Sequence, residues 1–174
     1  MSEQATTVMA MLLTKPVTRI HGRPERDEID ILEKEVARIV SSAKTTRFTQ
    51  GKKYGHLLMI IGQNAYRNII GDATFVFTEP SDEGAYDTVN IVGNVASSAA
   101  SKSQAEAEHK RTQSEYFLWV AVESAARQLI VGAIDEELLV EIYDEWVQYE
   151  SHTPMEIKKR ATASTPKCCQ GIPQ

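Results

Sequence analysis

The chain has 174 residues, 42% of them hydrophobic and 25% charged, which is typical of a single soluble globular domain. A domain of this size buries enough surface to fold without a disulfide or a metal. Its formal net charge of −5 argues against a body that grips phosphate backbones, because nucleic-acid affinity depends on basic side chains that neutralise phosphates.

The two cysteines, Cys168 and Cys169, are adjacent. A zinc site needs ligand pairs with about two residues between the members and a second pair elsewhere, so neither a metal nor another cofactor is predicted. Free thiols without a secretory signal favour a reducing, cytoplasmic location. The apolar run 8–13 is too short to span a bilayer, and no membrane partner is predicted.

Residues 1–22 lack sustained periodicity and are predicted to form a flexible N-terminal arm, although Met9, Leu12 and Leu13 are able to dock on the domain. Pro24 suits the first position of a helix, and acidic residues follow it at the positive end of the helix dipole. The helix is predicted to reach about Ser42, because apolar residues recur at helical spacing along it: Ile29, Leu32, Val36, Ile39 and Val40.

Residues 45–53 are polar and are predicted to form a loop. The apolar segment that follows is interpreted as a helix, with a break at Gly62, although periodicity alone does not separate a buried helix from a strand. Residues 71–93, which include Phe75-Val76-Phe77, are predicted to form a long connector with room for one short extended pair.

Residues 97–132 contain no proline and no glycine until the last position, which predicts one long helix whose second half faces the core. A further helix is predicted from Asp135, with one apolar face: Leu138, Leu139, Ile142, Tyr143, Trp146 and Tyr149. Thr153, Pro154 and Glu156 form a capping box in sequence, so the last helix is expected to begin there. The prediction is an all-α, single-domain bundle over 23–160, with a disordered tail over 161–174.

Candidate functional residues each have a structural interpretation. His56 lies beside Gly55 without a second ligand at metal spacing, so a capping or packing histidine is favoured, and Gly55 is assigned to a tight helix entry. Trp119 and Trp146 are predicted core anchors, with the alternative that one is a hot spot at a subunit contact. Three polar residues of the long helix are interpreted as solvated charges rather than acid–base groups: Glu106, Glu108 and His109.

Basic residues lie in two groups, and both are interpreted as solvated. The first precedes the first predicted helix, and the second follows the last acidic residue, Glu156. The members of the first group are Lys15, Arg19, His21 and Arg23. The second group, which contains the candidate RNA contacts, is Lys158, Lys159, Arg160 and Lys167.

Several short landmarks occur in a fixed order along residues 17–160. They include Thr18-Arg19-Ile20-His21-Gly22-Arg23-Pro24, Gly55-His56-Leu57, the stretch from Trp119 through Glu123 to Ile130, and Thr153-Pro154. In this order and spacing they resemble the Gag-like, capsid-forming region of copia-type LTR retrotransposon polyproteins, in the variant found in diatoms and other algae.

The resemblance implies a non-enzymatic structural protein that associates with copies of itself around the RNA of the element. No zinc knuckle follows the closing helix, so the chain is expected to be a truncated or domesticated Gag-like protein, with RNA binding that is weak and limited to the basic termini. Two alternatives stay open. One is a helical adaptor or regulator that binds a protein partner, and the other is a small helical enzyme with an unrecognised site.

Overall fold

A computed structural model describes residues 3–43, 52–84 and 99–163. The α-helices in these ranges are α1 (Glu3–Leu13), α2 (Arg26–Ser41), α3 (Leu58–Ile70), α4 (Ala99–Ala133) and α5 (Pro154–Ala163). Three 3-10 turns accompany them, at Gly55–Leu57, Glu136–Leu138 and Val140–Ile142. Within the described ranges there are two isolated β-bridges and no strand, so the predicted all-α class is confirmed.

Helix α4 is the centre of the fold, because α1, α2 and α5 all pack against it. The C-terminal half of α4 is buried on the face that these helices cover, as its apolar sequence predicted. Phe117 and Leu118 belong to the half that was predicted to face the core, but they are only half-buried. The residues that do fill the core from this half are Trp119, Val122, Ala125, Ala126, Leu129, Ile130 and Ala133.

Helix α1 corrects the prediction of an N-terminal arm. Residues 3–13 are helical and pack against α4, with Ala5 and Leu12 fully buried and Val8 and Met9 half-buried. These four positions follow the spacing of one helical face. The stripe is short and includes an alanine, so its apolar signal in the sequence is weak. Burial against α4 stabilises a helix of this length, which would be marginal alone.

Helix α2 has the predicted apolar face, and its start differs from the prediction by two residues. The first helical residue is Arg26, not Pro24, and Glu25 caps the helix. The Glu25 side chain accepts a hydrogen bond from the backbone N–H of Glu28, and Glu28 Oε2 accepts one from the Glu25 N–H at 2.8 Å. This reciprocal arrangement satisfies two backbone donors at the helix start. Pro24 is buried just before the cap.

Helix α3 confirms the helical interpretation of the second apolar segment, and Gly62 breaks it as predicted. Gly62 has φ 79° and ψ 167°, a backbone conformation that is open almost only to glycine. A Cβ atom at this position would lie 2.9 Å from Cε of Met155 in α5. The kink therefore lets α5 approach the backbone of α3.

Replacing Gly62 by alanine is expected to lower the free energy of unfolding by about 2 kcal/mol, because the backbone becomes strained and Met155 has to move. Urea denaturation of both proteins measures this difference. Gly132→Ala is the matched control, since Gly132 lies in α4 with open space at the Cβ position, and it should be neutral or slightly stabilising. Equal loss in the two variants would contradict the role given to the kink.

The connector after α3 is held in place by side chains of α3 and α4, without a regular element over residues 72–84. Arg67 Nε donates to the Phe75 carbonyl at 2.7 Å, and Gln113 Nε2 of α4 donates to the Gly84 carbonyl at 2.9 Å. The predicted loop at 45–53 lies largely outside the described residues, as does the connector beyond 84. The tail was predicted from residue 161, but α5 continues to Ala163 and Ala161 is buried; the rest lies outside the described residues.

Candidate interaction surface

The segment that follows α4 differs most from the prediction. Residues 135–150, here called the acidic segment, contain seven carboxylates and no lysine or arginine. A continuous helix was predicted from Asp135, whereas the structure has two 3-10 turns followed by an irregular loop. Leu139 is fully buried and anchors the segment in the core. Most of the remaining side chains are exposed.

A tight turn over residues 144–148 takes the place of the second half of the predicted helix. The backbones of Asp144 and Gln148 exchange two hydrogen bonds, of 3.1 and 2.7 Å. Asp144 Oδ1 also accepts from the backbone N–H groups of Val147 at 2.9 Å and Trp146 at 2.8 Å, and these bonds hold the pKa of the carboxyl below its usual range. An aspartate that binds its own backbone in this way competes with helical hydrogen bonding.

The turn exposes Trp146. Its relative exposure is 85%, so the prediction that it is a core anchor is wrong. It shares the acidic segment with three other exposed apolar residues, namely Val140 at 66%, Tyr143 at 49% and Val147 at 48%. An exposed tryptophan among other exposed apolar side chains is unusual on a monomer surface and is typical of an interaction site.

Arg127 of α4 fixes the end of the acidic segment to the body of the fold. Its side chain is only 9% exposed, and its Nε donates to the His152 carbonyl at 2.8 Å. Its guanidinium also pairs with Glu150 at 2.5 Å and with Glu123, one turn earlier in α4, at 3.8 Å. Burial raises the pKa of Glu123, while the positive charge of Arg127 opposes that rise. The landmark Glu123 thus has a structural partner in Arg127.

A cleft of about 530 Å³ lies between α4 and the acidic segment. Tyr143 and Tyr149 meet there edge to face, with their ring centroids 5.4 Å apart. Burial is the main cause of a raised pKa of the Tyr149 phenol, and the negative charge of Glu136 adds to it. Aromatic and aliphatic side chains therefore line the cleft together with carboxylates: Val131, Val140, Tyr143 and Tyr149 with Glu136 and Glu150.

The landmarks around His56 form part of the core. His56 is 2% exposed, its Nδ1 lies 3.2 Å from the Ala43 carbonyl, and its ring lies 5.6 Å from that of Trp119. Burial lowers its pKa to about 4. Trp119 is 4% exposed, which confirms it as a core anchor. The tight entry before α3 is made by Tyr54, at φ 59°, and not by Gly55 as predicted; Leu57 is the half-buried residue that precedes α3.

The remaining landmarks are also structural. Gly22 adopts φ 69°, and its N–H donates to Asp135 Oδ2 at 2.5 Å. At the start of α5, the Thr153 N–H donates to Glu156 Oε2 at 2.8 Å, and the Glu156 N–H donates to Thr153 Oγ1 at 3.3 Å. The capping box predicted there is confirmed, with Pro154 as the first helical residue.

The candidate RNA contacts in α5 differ in their exposure and in their ion-pair partners. Lys158 is 19% exposed; its Nζ lies 2.9 Å from Glu33 Oε2 and donates to the Ile60 carbonyl at 3.1 Å. Arg160 pairs with Glu141 of the acidic segment. Lys159 is exposed. Lys167 lies outside the described residues. Two of the three described candidates therefore already serve ion pairs within the fold.

The polar residues of α4 that were weighed as acid–base groups take part in ion pairs. The side chain of His109 is only 13% exposed, so the prediction that it is solvated is wrong. Glu106 pairs with Lys110 at 2.7 Å, which lowers the pKa of the Glu106 carboxyl. His109 Nδ1 lies 3.2 Å from Glu83, and its Nε2 lies 3.1 Å from the Gly84 carbonyl. The two contacts of His109 hold the connector against α4.

Across residues 3–43, 52–84 and 99–163, no cluster of three or more histidine, cysteine, aspartate or glutamate side chains has the arrangement of a metal site. Cys168 and Cys169 lie outside these ranges. None of the described helices combines the length and the apolar character needed to cross a membrane. Comparison with known proteins finds no matching family model, no similar curated protein and no similar solved structure. The role of the surface centred on Trp146 therefore has to be inferred from the residues that form it.

Proposed function

We propose that this chain is a non-enzymatic protein that associates with copies of itself, as a Gag-like capsid domain does. The observation that supports this best is the exposed position of Trp146 on a turn whose backbone is closed by its own hydrogen bonds. A tryptophan has few rotatable bonds, and the turn beneath it is already ordered, so little conformational entropy is lost when a partner covers the side chain. An exposed tryptophan on such a turn is therefore well suited to binding another protein.

Weak contacts are sufficient for such a protein. In an assembly each copy binds several neighbours, and the contacts reinforce one another without any one being strong. The landmark sequence that resembles copia-type Gag regions supports the same class of function. The location of such assembly in the cytoplasm remains a prediction.

RNA is proposed only as a minor partner. Lys159 is the exposed member of the described basic group in α5, while Lys158 and Arg160 pair with carboxylates. One or two phosphate contacts per copy give low affinity, although a shell of many copies would add them together. Binding of this kind should vanish at high salt.

Replacing Trp146 by alanine is expected to weaken self-association at least about thirtyfold, because truncating a hot-spot tryptophan costs about 2 kcal/mol or more. Sedimentation velocity over a range of protein concentrations measures the dissociation constant. Ile69→Ala is the matched control, since Ile69 is a 53% exposed apolar residue of α3 that does not belong to the acidic segment, and it should leave association unchanged. A wild-type chain that stays monomeric up to about 1 mM would contradict the proposed function. It would favour the adaptor alternative instead.

A further inference from the structure

The chain carries a basic surface that is opposite in charge to the acidic segment. Residues 15–26, here called the basic segment, contain four lysine or arginine residues and one acidic residue. All four basic residues are exposed: Lys15, Arg19, Arg23 and Arg26. The acidic segment has the reverse composition. The two segments are thus complementary in charge, and each belongs to every copy of the chain.

The basic segment is held in a defined conformation. The Ile20 N–H donates to the Ala133 carbonyl at 2.7 Å, and Ile20 forms a β-bridge with Ile134. Glu35 Oε2 accepts from the Thr18 backbone N–H at 2.7 Å. Ile20 is 2% exposed, so it anchors the segment in the core while its basic neighbours face outward. Because the basic segment is already ordered, binding through it does not cost the conformational entropy of ordering a flexible arm.

The cleft beside the acidic segment has the chemistry that receives a cationic side chain. Tyrosine rings attract cations, and Tyr143 and Tyr149 line the cleft together with Glu136, which supplies negative charge there. Glu150 also lines the cleft, but its charge is engaged by Arg127. The positive charge of Arg127 is already met by Glu123 and Glu150. The exposed indole of Trp146, which is on the same segment, is a further surface on which a guanidinium group can stack.

We propose that the cleft and Trp146 bind the basic segment of a second copy of this chain. The inference rests on the proposed self-association and names the contact that produces it. Two acidic segments facing each other would repel, so charge disfavours a symmetric pairing of this surface with itself. Each contact instead joins unlike segments. The two segments adjoin in one copy at Gly22 and Asp135, so two copies can exchange a pair of such contacts about a two-fold axis; contacts that do not close in this way continue from copy to copy as a ring or a filament.

Charge reversal of each side separates this contact from others. The first variant is Arg19→Glu with Arg26→Glu, and the second is Glu136→Arg with Glu145→Arg. All four residues are exposed, and the charge reversals leave the Arg127 pairs intact. Each variant alone is expected to raise the dissociation constant for self-association at least about tenfold. Equimolar mixing should restore binding, because the intact cleft of one variant meets the intact basic segment of the other.

Two controls accompany this test. Lys34→Glu with Arg38→Glu makes the same change in net charge at exposed positions of α2, and it should leave association unchanged. Wild-type association should weaken as sodium chloride rises from about 50 mM to about 500 mM, because exposed charges are screened. Circular dichroism establishes that every variant keeps its helices.

Several outcomes would overturn the proposal. If the wild type associates and the basic-segment variant associates equally well, the contact is wrong while self-association stands. If Trp146→Ala weakens association but the basic-segment variant does not, the surface pairs with itself through apolar contacts. If the wild type is monomeric, both proposals fail. In that case, binding of a hexa-arginine peptide with a change in tryptophan fluorescence would assign the cleft to a foreign basic ligand.

Discussion

Replacing Arg127 by methionine is expected to lower the free energy of unfolding by about 3 kcal/mol at pH 7. Methionine keeps most of the apolar volume but supplies none of the hydrogen bonds to the His152 carbonyl and Glu150. The main cost arises at Glu123, whose side chain is 19% exposed and would keep a charge without its partner. Glu150 contributes less, because it is 61% exposed and water can solvate it again.

The loss should depend on pH. Burial raises the pKa of Glu123, and removing the opposing charge of Arg127 raises it further. A carboxyl whose pKa is higher in the folded state binds protons more readily there, so its contribution to stability is full at low pH and is lost as pH rises through the folded value. The deficit of the Arg127→Met variant should therefore be smaller near pH 5 than at pH 7.

The double variant Arg127→Met with Glu123→Gln is the control for this interpretation. It removes both buried charges, so it should recover part of the stability and lose the pH dependence. Urea denaturation at pH 5 and pH 7 measures four proteins: the wild type, the single variants Arg127→Met and Glu123→Gln, and the double variant. If the double variant is as unstable as the sum of its single changes, then Arg127 and Glu123 are not energetically coupled, and their ion pair does not account for the loss.

Acid is expected to destabilise the protein through His56. Burial lowers the pKa of this imidazole from 6.5 to about 4, so the unfolded chain binds a proton at pH values where the folded chain does not. Stability from this group is full above about pH 6.5 and is lost as pH falls towards 4. The loss amounts to about 3 kcal/mol over that interval, since one unit of pKa corresponds to about 1.4 kcal/mol.

His56→Phe isolates the contribution of this residue. Phenylalanine preserves ring packing against Trp119 and leaves the Ala43 carbonyl without the Nδ1 partner, so the variant should be somewhat less stable at pH 7. Its stability should nevertheless change far less than that of the wild type between pH 6.5 and pH 4.5. Parallel pH profiles for the two proteins would show that other groups cause the acid sensitivity.

The sequence was sufficient for the elements that have strong apolar periodicity or clear end signals. The face of α2, the long α4, the kink at Gly62 and the capping box at Thr153 all followed from local chemistry. Local chemistry was not sufficient for α1, which is stabilised by α4, a helix that begins more than eighty positions after α1 ends. Long-range burial of a short stripe leaves little trace in composition.

The acidic segment shows why the candidate surface was harder to predict. Its apolar residues recur at helical spacing, and this pattern suggested a buried face that included Trp146. The carboxylate of Asp144 binds the backbone N–H groups of Trp146 and Val147, and Arg127 holds the segment at Glu150. The i,i+4 spacing of Glu123 and Arg127 was the available signal for this ion pair. No local sequence signal indicated that Arg127 would also pair with Glu150.

The central place of α4 has a consequence for the order in which the protein acquires its structure. During synthesis, α1 and α2 leave the ribosome long before the helix against which they pack, and the bond from Gly22 to Asp135 joins residues 113 positions apart. A nascent chain that stops before Ala133 therefore lacks the surface that completes its core. Contacts so distant along the polypeptide slow folding, so we expect the native state to form only once translation has passed α4.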